Sequence, residues 1–227
     1  MAVNLVKGQK VNLVKASGGS GLREIRVGLG WDEVEQKTGF FASLFSTKKP
    51  DIDCDASVIL CGADGKLYGR HANDCCVYFG NLHHASGAIN HAGDNLTGGG
   101  DGDDEQITVD LARLPADVNK LVFVVNIYDA GIRGQHFGMV RNAFIHLTDV
   151  RTGRELCRYN LTDNFSGMQG LVVGEITRAG SEWEFEAIGR GVAQASRLDA
   201  PSGDGPGPRN HGLHVRRYFL EASTSLL

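Results

Sequence analysis

Along most of this chain apolar and polar positions alternate with a period of two, the spacing of strands that bury one face. Near the start VNLVK occurs twice, at Val3–Lys7 and Val11–Lys15 around a GQK connection. In each copy Val and Leu alternate with Asn, which predicts two short, similar strands joined as a hairpin. REIRVGLGW continues the alternation, with Ile25, Val27, Leu29 and Trp31 on one face and Asp32 at the strand's end. SVILCGADGKLYG predicts a strand, an Asp64-Gly65 turn and a second strand, and DCCVYFG and QITVDL predict one strand each. KLVFVVNIYD is a continuous apolar run of strand length, which predicts a strand buried on both faces that ends at Asp129. Two further hairpins follow: NAFIHLTDV and ELCRYNL flank RTGR, and GLVVGEITR and EWEFEAIG flank AGS. Helical periodicity is sparse. LARLPADVNK predicts a short helix, and Glu33–Pro50, with FFASLF inside it, is a short helix or an exposed apolar loop.

Many short strands with turn chemistry between them predict an all-β fold, an antiparallel β-sandwich. After Gly191 the alternation stops and APSGDGPGPRNHG takes over. The chain therefore divides into a β-sandwich domain over 1–191 and a Pro/Gly-rich flexible tail over 192–227. Loops of a sandwich gather at the ends of its sheets, so acidic segments distant in sequence can meet in space. Asp32, the Asp51 to Asp55 segment, the acidic loop before QITVDL and Asp129 all fall at expected strand ends.

Composition narrows the function. At 227 residues the chain is long enough for a substantial core. A net charge of −4 and a pI of about 6.0 leave no basic footprint, which disfavours nucleic acid as a partner. No stretch approaches the roughly 18 consecutive apolar residues of a transmembrane segment. MAVNLVKGQK lacks the apolar core of a secretory signal, so the expected location is cytoplasmic. Cys54, Cys61, Cys75, Cys76 and Cys157 are odd in number and irregularly spaced, as expected of reduced, buried thiols. Cys75 and Cys76 on a strand would point to opposite faces, so a disulfide between them would be strained.

The chemistry concentrates between Gly93 and Glu105, which read GDNLTGGGDGDDE. Asp94, Asn95, Thr97, Asp101, Asp103, Asp104 and Glu105 share this stretch with no lysine or arginine. Carboxylates about 4 Å apart repel by roughly 1 kcal/mol per pair in bulk water, and by more where solvent is thin. A cation would relieve them. Oxygen-only ligands on a glycine-bearing loop suit calcium, which takes 6–8 oxygens in flexible geometry. Zinc would want His or Cys. Magnesium stays open, as does a solvated acidic turn. Asp51, Asp53 and Asp55 form a second cluster, spaced two apart so that an extended segment presents all three on one side. It is not an EF-hand, because Ala56 and Gly62 stand where that loop needs glycine and glutamate.

These residues carry a resemblance to the tellurium-resistance TerD proteins. It rests on VGLGWD at Val27–Asp32, the DCDAS segment, GDNLTGGGDGDDE, and RGQHFGMVRNAFIHL at Arg133–Leu147, and it spans roughly residues 1 to 191. Gly39 to Pro50 is more similar to the TerZ branch. The resemblance implies a cytoplasmic, stress-associated β-sandwich with calcium-binding acidic loops at one end, linked to tellurite resistance and without a settled enzymatic activity. The implied metal positions are Asp53 and Asp55, Asp94 and Asn95, and Asp103, Asp104 and Glu105, with Asp32 and Asp129 near the metal. Gly99 and Asp101 stand where the family loop commonly carries glutamate. Asp101 keeps the charge on a shorter arm, whereas Gly99 loses it.

The leading expectation is a module holding two calcium ions that acts by recruitment or assembly. Its expected partners are other stress-response proteins, further copies of itself, or an anionic ligand at the calcium end. One rival is a metal-dependent enzyme, whose candidate bases would be His83, His84, His91 or His136. Against it stands the absence of a nucleophile elbow, P-loop or zinc spacing. The other rival is an oligomeric scaffold joined through FFASLF, in which calcium is purely structural.

Overall fold

The computed structural model describes residues 2–19, 21–33, 52–93 and 102–193. In chain order its strands are β1 (Val3–Leu5), β2 (Lys10–Asn12), β3 (Glu24–Glu33), β4 (Cys54–Cys61), β5 (Cys76–Val77), β6 (Ile89–His91), β7 (Glu105–Asp110), β8 (Lys120–Ile127), β9 (Val140–Asp149), β10 (Glu155–Asn160), β11 (Gly170–Ala179) and β12 (Glu182–Val192). They form two six-stranded sheets, β1-β10-β9-β3-β7-β6 and β2-β12-β11-β8-β4-β5, called here the first and second sheet. Neighbouring strands run antiparallel except β1 and β10, which are parallel. The predicted β-sandwich is the fold.

The alternation explains how the sheets pack. Ile25, Val27, Leu29 and Trp31 of β3 are buried, as predicted, and meet Phe123, Phe185, Val58 and their neighbours from the second sheet in one core. Burying a phenylalanine such as Phe123 or Phe185 contributes roughly 2–3 kcal/mol. β8 is buried on both faces, as its unbroken apolar run predicts. Leu121, Phe123 and Val125 enter the core, while Val122 and Val124 lie in an outer layer with Ile59, Cys61, Cys76, Tyr78 and Val172. All five cysteines are buried and none is in a disulfide. Burial pushes the Cys61 and Cys157 thiols up to about 12, so neither is a ready nucleophile.

Several local expectations fail for identifiable reasons. The two VNLVK copies do not form a hairpin: β1 joins an edge of the first sheet beside β10, and β2 joins an edge of the second beside β12. The tight turn between them carries the chain from one layer to the other, with Gln9 N–H donating to the Val6 carbonyl at 3.0 Å and Gly8 at φ +79°. In the second copy Asn12 Oδ1 accepts from the Lys15 amide at 2.9 Å, so Asn12 caps the short helix α1 (Leu13–Ala16). The Asp64-Gly65 turn forms, but its returning arm makes a single bridge, Cys61 to Leu67. Asp74 Oδ2 then accepts from the amides of Arg70 and His71, which starts α2 (Ala72–Cys75) and limits the DCCVYFG strand to β5. LARLPADVNK forms turns rather than a helix. Asp110 Oδ1 accepts from the amides of Ala112 and Arg113, an alternative to helical bonding, and Pro115 offers no N–H. FFASLF, Asp51 and residues 194–227 lie outside the described residues.

Candidate metal centre

The acidic residues at the end of the first sheet are set by the pairing of β3 with β7. Leu29 sits opposite Glu105, and the Asp104 amide donates to the Leu29 carbonyl at 2.8 Å. The Trp31 amide returns the bond, donating to Asp104 Oδ2 at 2.8 Å. Asp104 is thereby buried at the strand end, where burial raises its carboxyl above the ordinary carboxylate range. The Trp31 amide opposes that rise, and the negative charges of Asp32, Glu105 and Asp103 add to it. Asp32 is exposed at the end of β3, opposite Arg141 of β9, and its Oδ2 accepts from Asn142 Nδ2 at 2.7 Å.

Asp103, Asp104 and Glu105 do not converge. Asp103 precedes β7 and its Oδ1 lies 2.8 Å from His146 Nε2, while its Oδ2 accepts from Gln106 Nε2 at 3.2 Å. His146 is shared, because its Nδ1 contacts Glu155 Oε2 at 3.0 Å. Desolvation lowers the imidazole's proton affinity, but hydrogen bonds and charges from Asp103 and Glu155 outweigh it, so the group titrates above its ordinary value. Gly28 makes this arrangement possible: a Cβ there would run into both Asp103 and His146. Glu105 points instead between the sheets, where its Oε2 lies 3.0 Å from His91 Nε2, both side chains being 1% exposed.

At the end of the second sheet, the Asp53 carbonyl accepts from the Tyr128 amide at 2.7 Å, and the Asp53 carboxylate is 4.0 Å from the Arg133 guanidinium. Asp55 is buried opposite Asn126 of β8, whose Nδ2 donates to its Oδ2 at 3.3 Å. Asp129 follows β8 in the left-handed conformation, φ 51°, and opens the turn α3 (Ala130–Arg133), where Arg133 also lies over the Tyr128 ring.

Among the described residues no group of three or more His, Cys, Asp or Glu side chains is arranged to hold a metal ion. Asp94, Asn95 and Asp101, expected in the same site, lie outside the described residues, as does Gly99. The donor set still fits a hard cation. It is oxygen-only, and the charges acting most strongly on buried Asp104 are all carboxylates. Nothing in the sequence marks His146, Asn126 and Asn142 as partners of these acids. His91, a candidate base by sequence, is a buried neighbour of Glu105. A polar side chain at the alternation phase of core residues, as in Ile89-Asn90-His91, was the available signal for His91.

A TerD domain model matches residues 1–199. The chain belongs to the TerD family. Stress response protein SCP2 of Bacillus subtilis (strain 168) is 49% identical over 192 residues, covering 85% of this chain and 94% of that protein. Tellurium resistance protein TerZ of Serratia marcescens is 44% identical over 187 residues, 82% of this chain and 89% of its own. Tellurium resistance protein TerD of the same organism is 39% identical over 193 residues, 85% and 92%. The crystal structure of a homologue of telluride resistance protein (TerD) from Streptomyces coelicolor A3(2) superimposes with a TM-score of 0.54 at 25% identity, covering 77% of this chain and 92% of that one. This TerD-family chain thus shares its fold with solved relatives and its sequence with tellurium-resistance and stress-response proteins. No helix among the described residues is long and apolar enough to cross a membrane.

Proposed function

We propose that this TerD-family protein is a cytoplasmic calcium-binding module of a stress-response and tellurite-resistance system. It acts by calcium-dependent recruitment or assembly rather than by catalysis. Asp104 carries the reading: a buried carboxylate whose strongest charged neighbours, Asp32, Glu105 and Asp103, are themselves acids. Such a group favours a bound cation, because the cation offsets desolvation and like-charge repulsion at once. Two calcium ions would draw on the acids of the first-sheet end, with Asp94, Asn95 and Asp101 of the same loop, and on Asp53, Asp55 and Asp129 at the second. Calcium at a sandwich end also offers coordination positions to an anionic partner, a carboxylate, head group or oxyanion.

The histidines support a role without catalysis. His83 Nδ1 lies 3.0 Å from Asn90 Oδ1, His84 spans Ser86 and the Asp74 carbonyl, and His136 Nδ1 accepts from the Gly138 amide. Each ring holds a turn or a bridge, which supports a packing role.

Calorimetric titration of the metal-stripped full chain with calcium, and separately with magnesium, tests the proposal. Binding near two calcium ions in preference to magnesium is expected. Absence of calcium binding overturns it.

A further inference from the structure

His91 occupies a position that the calcium reading leaves unexplained. Its side chain is 1% exposed and lies between the sheets, on β6 at the edge of the first sheet. Its Nδ1 accepts from the Gly93 amide at 3.1 Å. That bond leaves the ring proton on Nε2. From there Nε2 lies 3.2 Å from the Ala56 carbonyl of β4 and 3.0 Å from Glu105 Oε2 at the start of β7. Its own amide donates to the Leu82 carbonyl at 2.8 Å, and the Ala92 amide donates to the Gln106 carbonyl at 2.9 Å, so the ring hangs from fixed backbone.

One imidazole therefore touches three segments that sequence alone leaves unconnected. These are Gly93, where the acidic stretch begins; Glu105, where it ends; and Ala56, one residue beyond the Asp53-Cys54-Asp55 acids of the other sheet. We infer that His91 is a positioning residue that holds the entry root of the acidic segment and registers it against the acids of the second sheet. The ring's two nitrogens divide the task. Nδ1 fixes the entry root within the first sheet, and Nε2 fixes the opposite sheet through Ala56, with Glu105 Oε2 beside it. Apolar replacements would leave the buried Ala56 carbonyl without this partner, at a cost typical of buried polar groups, and would release the half-buried Gly93 amide.

This inference deepens the calcium reading and rests on it for its effect on affinity, but its structural half is separately measurable. Two substitutions separate the two nitrogens. His91→Asn keeps an acceptor near Nδ1 and withdraws the group from Ala56 and Glu105, whereas His91→Gln keeps a donor near Nε2 and releases Gly93. Amide hydrogen exchange on the calcium-free full chain, with far-UV circular dichroism to establish that each variant is folded, reads the roots directly. The Gly93 amide should exchange at least tenfold faster in His91→Gln than in His91→Asn, with the core strand β8 unchanged in both. Calcium titration should show at least tenfold weaker binding in both variants than in the parent.

Equal protection of Gly93 in the parent and in folded His91→Gln overturns the positioning role, as does unchanged calcium affinity in both folded variants. If the parent binds no calcium, the metal reading fails instead, and the exchange rates alone support or overturn the clamp. If neither substituted chain folds, the parent decides: a Gly93 amide protected at least tenfold over an unprotected amide supports the Nδ1 bond, and exchange at the unprotected rate overturns it.

Discussion

The two acidic segments of this protein look alike in sequence and are treated differently by the fold. Asp53 and Asp55, two apart at the start of β4, are met by nitrogen donors, the Arg133 guanidinium and the Asn126 amide. Asp103, Asp104 and Glu105 are consecutive and fan out to His146, the Trp31 amide and His91. In the second segment burial raises the Asp104 carboxyl, and its strongest charged neighbours are further acids. Spacing on a strand keeps acids on one face, whereas adjacency at a strand's entrance spreads them and strands one among like charges. Under the proposed calcium reading, a cation at the end of the first sheet would relieve Asp104.

The largest expected effect is on that residue. Calcium at a hundredfold excess over its dissociation constant stabilises the parent by about 2.7 kcal/mol per site. Asp104→Ala should lose most of that gain, so that the rise in melting temperature on adding calcium shrinks well below the parent's, whatever the loss of the Trp31 amide's acceptor costs in chelator, as differential scanning calorimetry with and without calcium would report. A calcium response equal to the parent's would exclude Asp104 from the site. Asp104 also gives the calcium-free protein a pH signature. Its folded carboxyl titrates above its unfolded value, so its contribution is fully present below the unfolded value near 3.8 and is lost as pH rises through the folded one. Asp104→Asn should flatten that decline in urea titrations across the acid range; an unchanged slope would show that other groups produce it.

Next comes Gly28→Ala, which forces a methyl into Asp103 and His146. Overpacking of this kind costs about 1–3 kcal/mol, and chemical denaturation should show a similar loss with and without calcium. A neutral outcome would mean that Asp103 leaves His146 at little cost. Asp55→Asn keeps a polar group for Asn126 and removes one charge, so calcium affinity should fall by less than in Asp104→Ala. A larger fall would reverse the ranking of the two segments.

The smallest effect concerns His146, which sits outside the sheet pair beside Asp103 and Glu155. Its folded value is raised, so the stability it contributes is present below its unfolded value near 6.5 and fades as pH rises through the folded one. The stability difference between parent and His146→Gln should therefore shrink from pH 6 toward pH 8. A gap that widens with pH would contradict the paired imidazolium.

Much of this was legible in the chain. β3, β8 and the two C-terminal hairpins follow from alternation and turn residues, because side-chain period and burial obey the same geometry. The acidic loop announced itself by charge without counter-charge. The fanning of Asp103 to Glu105 was not legible, since Asp103 lies before the strand begins and period-two reasoning stops there. Nor was the fate of the VNLVK repeat: identical pentapeptides reached opposite sheets because a turn at Gly8 follows the first, whereas within the second Asn12 caps a helix. Histidine partners escaped notice because their contacts span 43 residues for His146 with Asp103 and 35 for His91 with Ala56.

The placement of β1 and β2 has a consequence for biosynthesis. Both precede the domain's other strands in synthesis, yet their partners β10 and β12 are among the last of those strands to be made. At typical elongation rates of about 5–20 residues per second, the opening segment waits on the order of ten seconds before either sheet can take it up. A nascent chain of this protein thus emerges with its two border strands unclaimed, and the ribosome must release nearly the whole sandwich domain before its margins can be sewn shut.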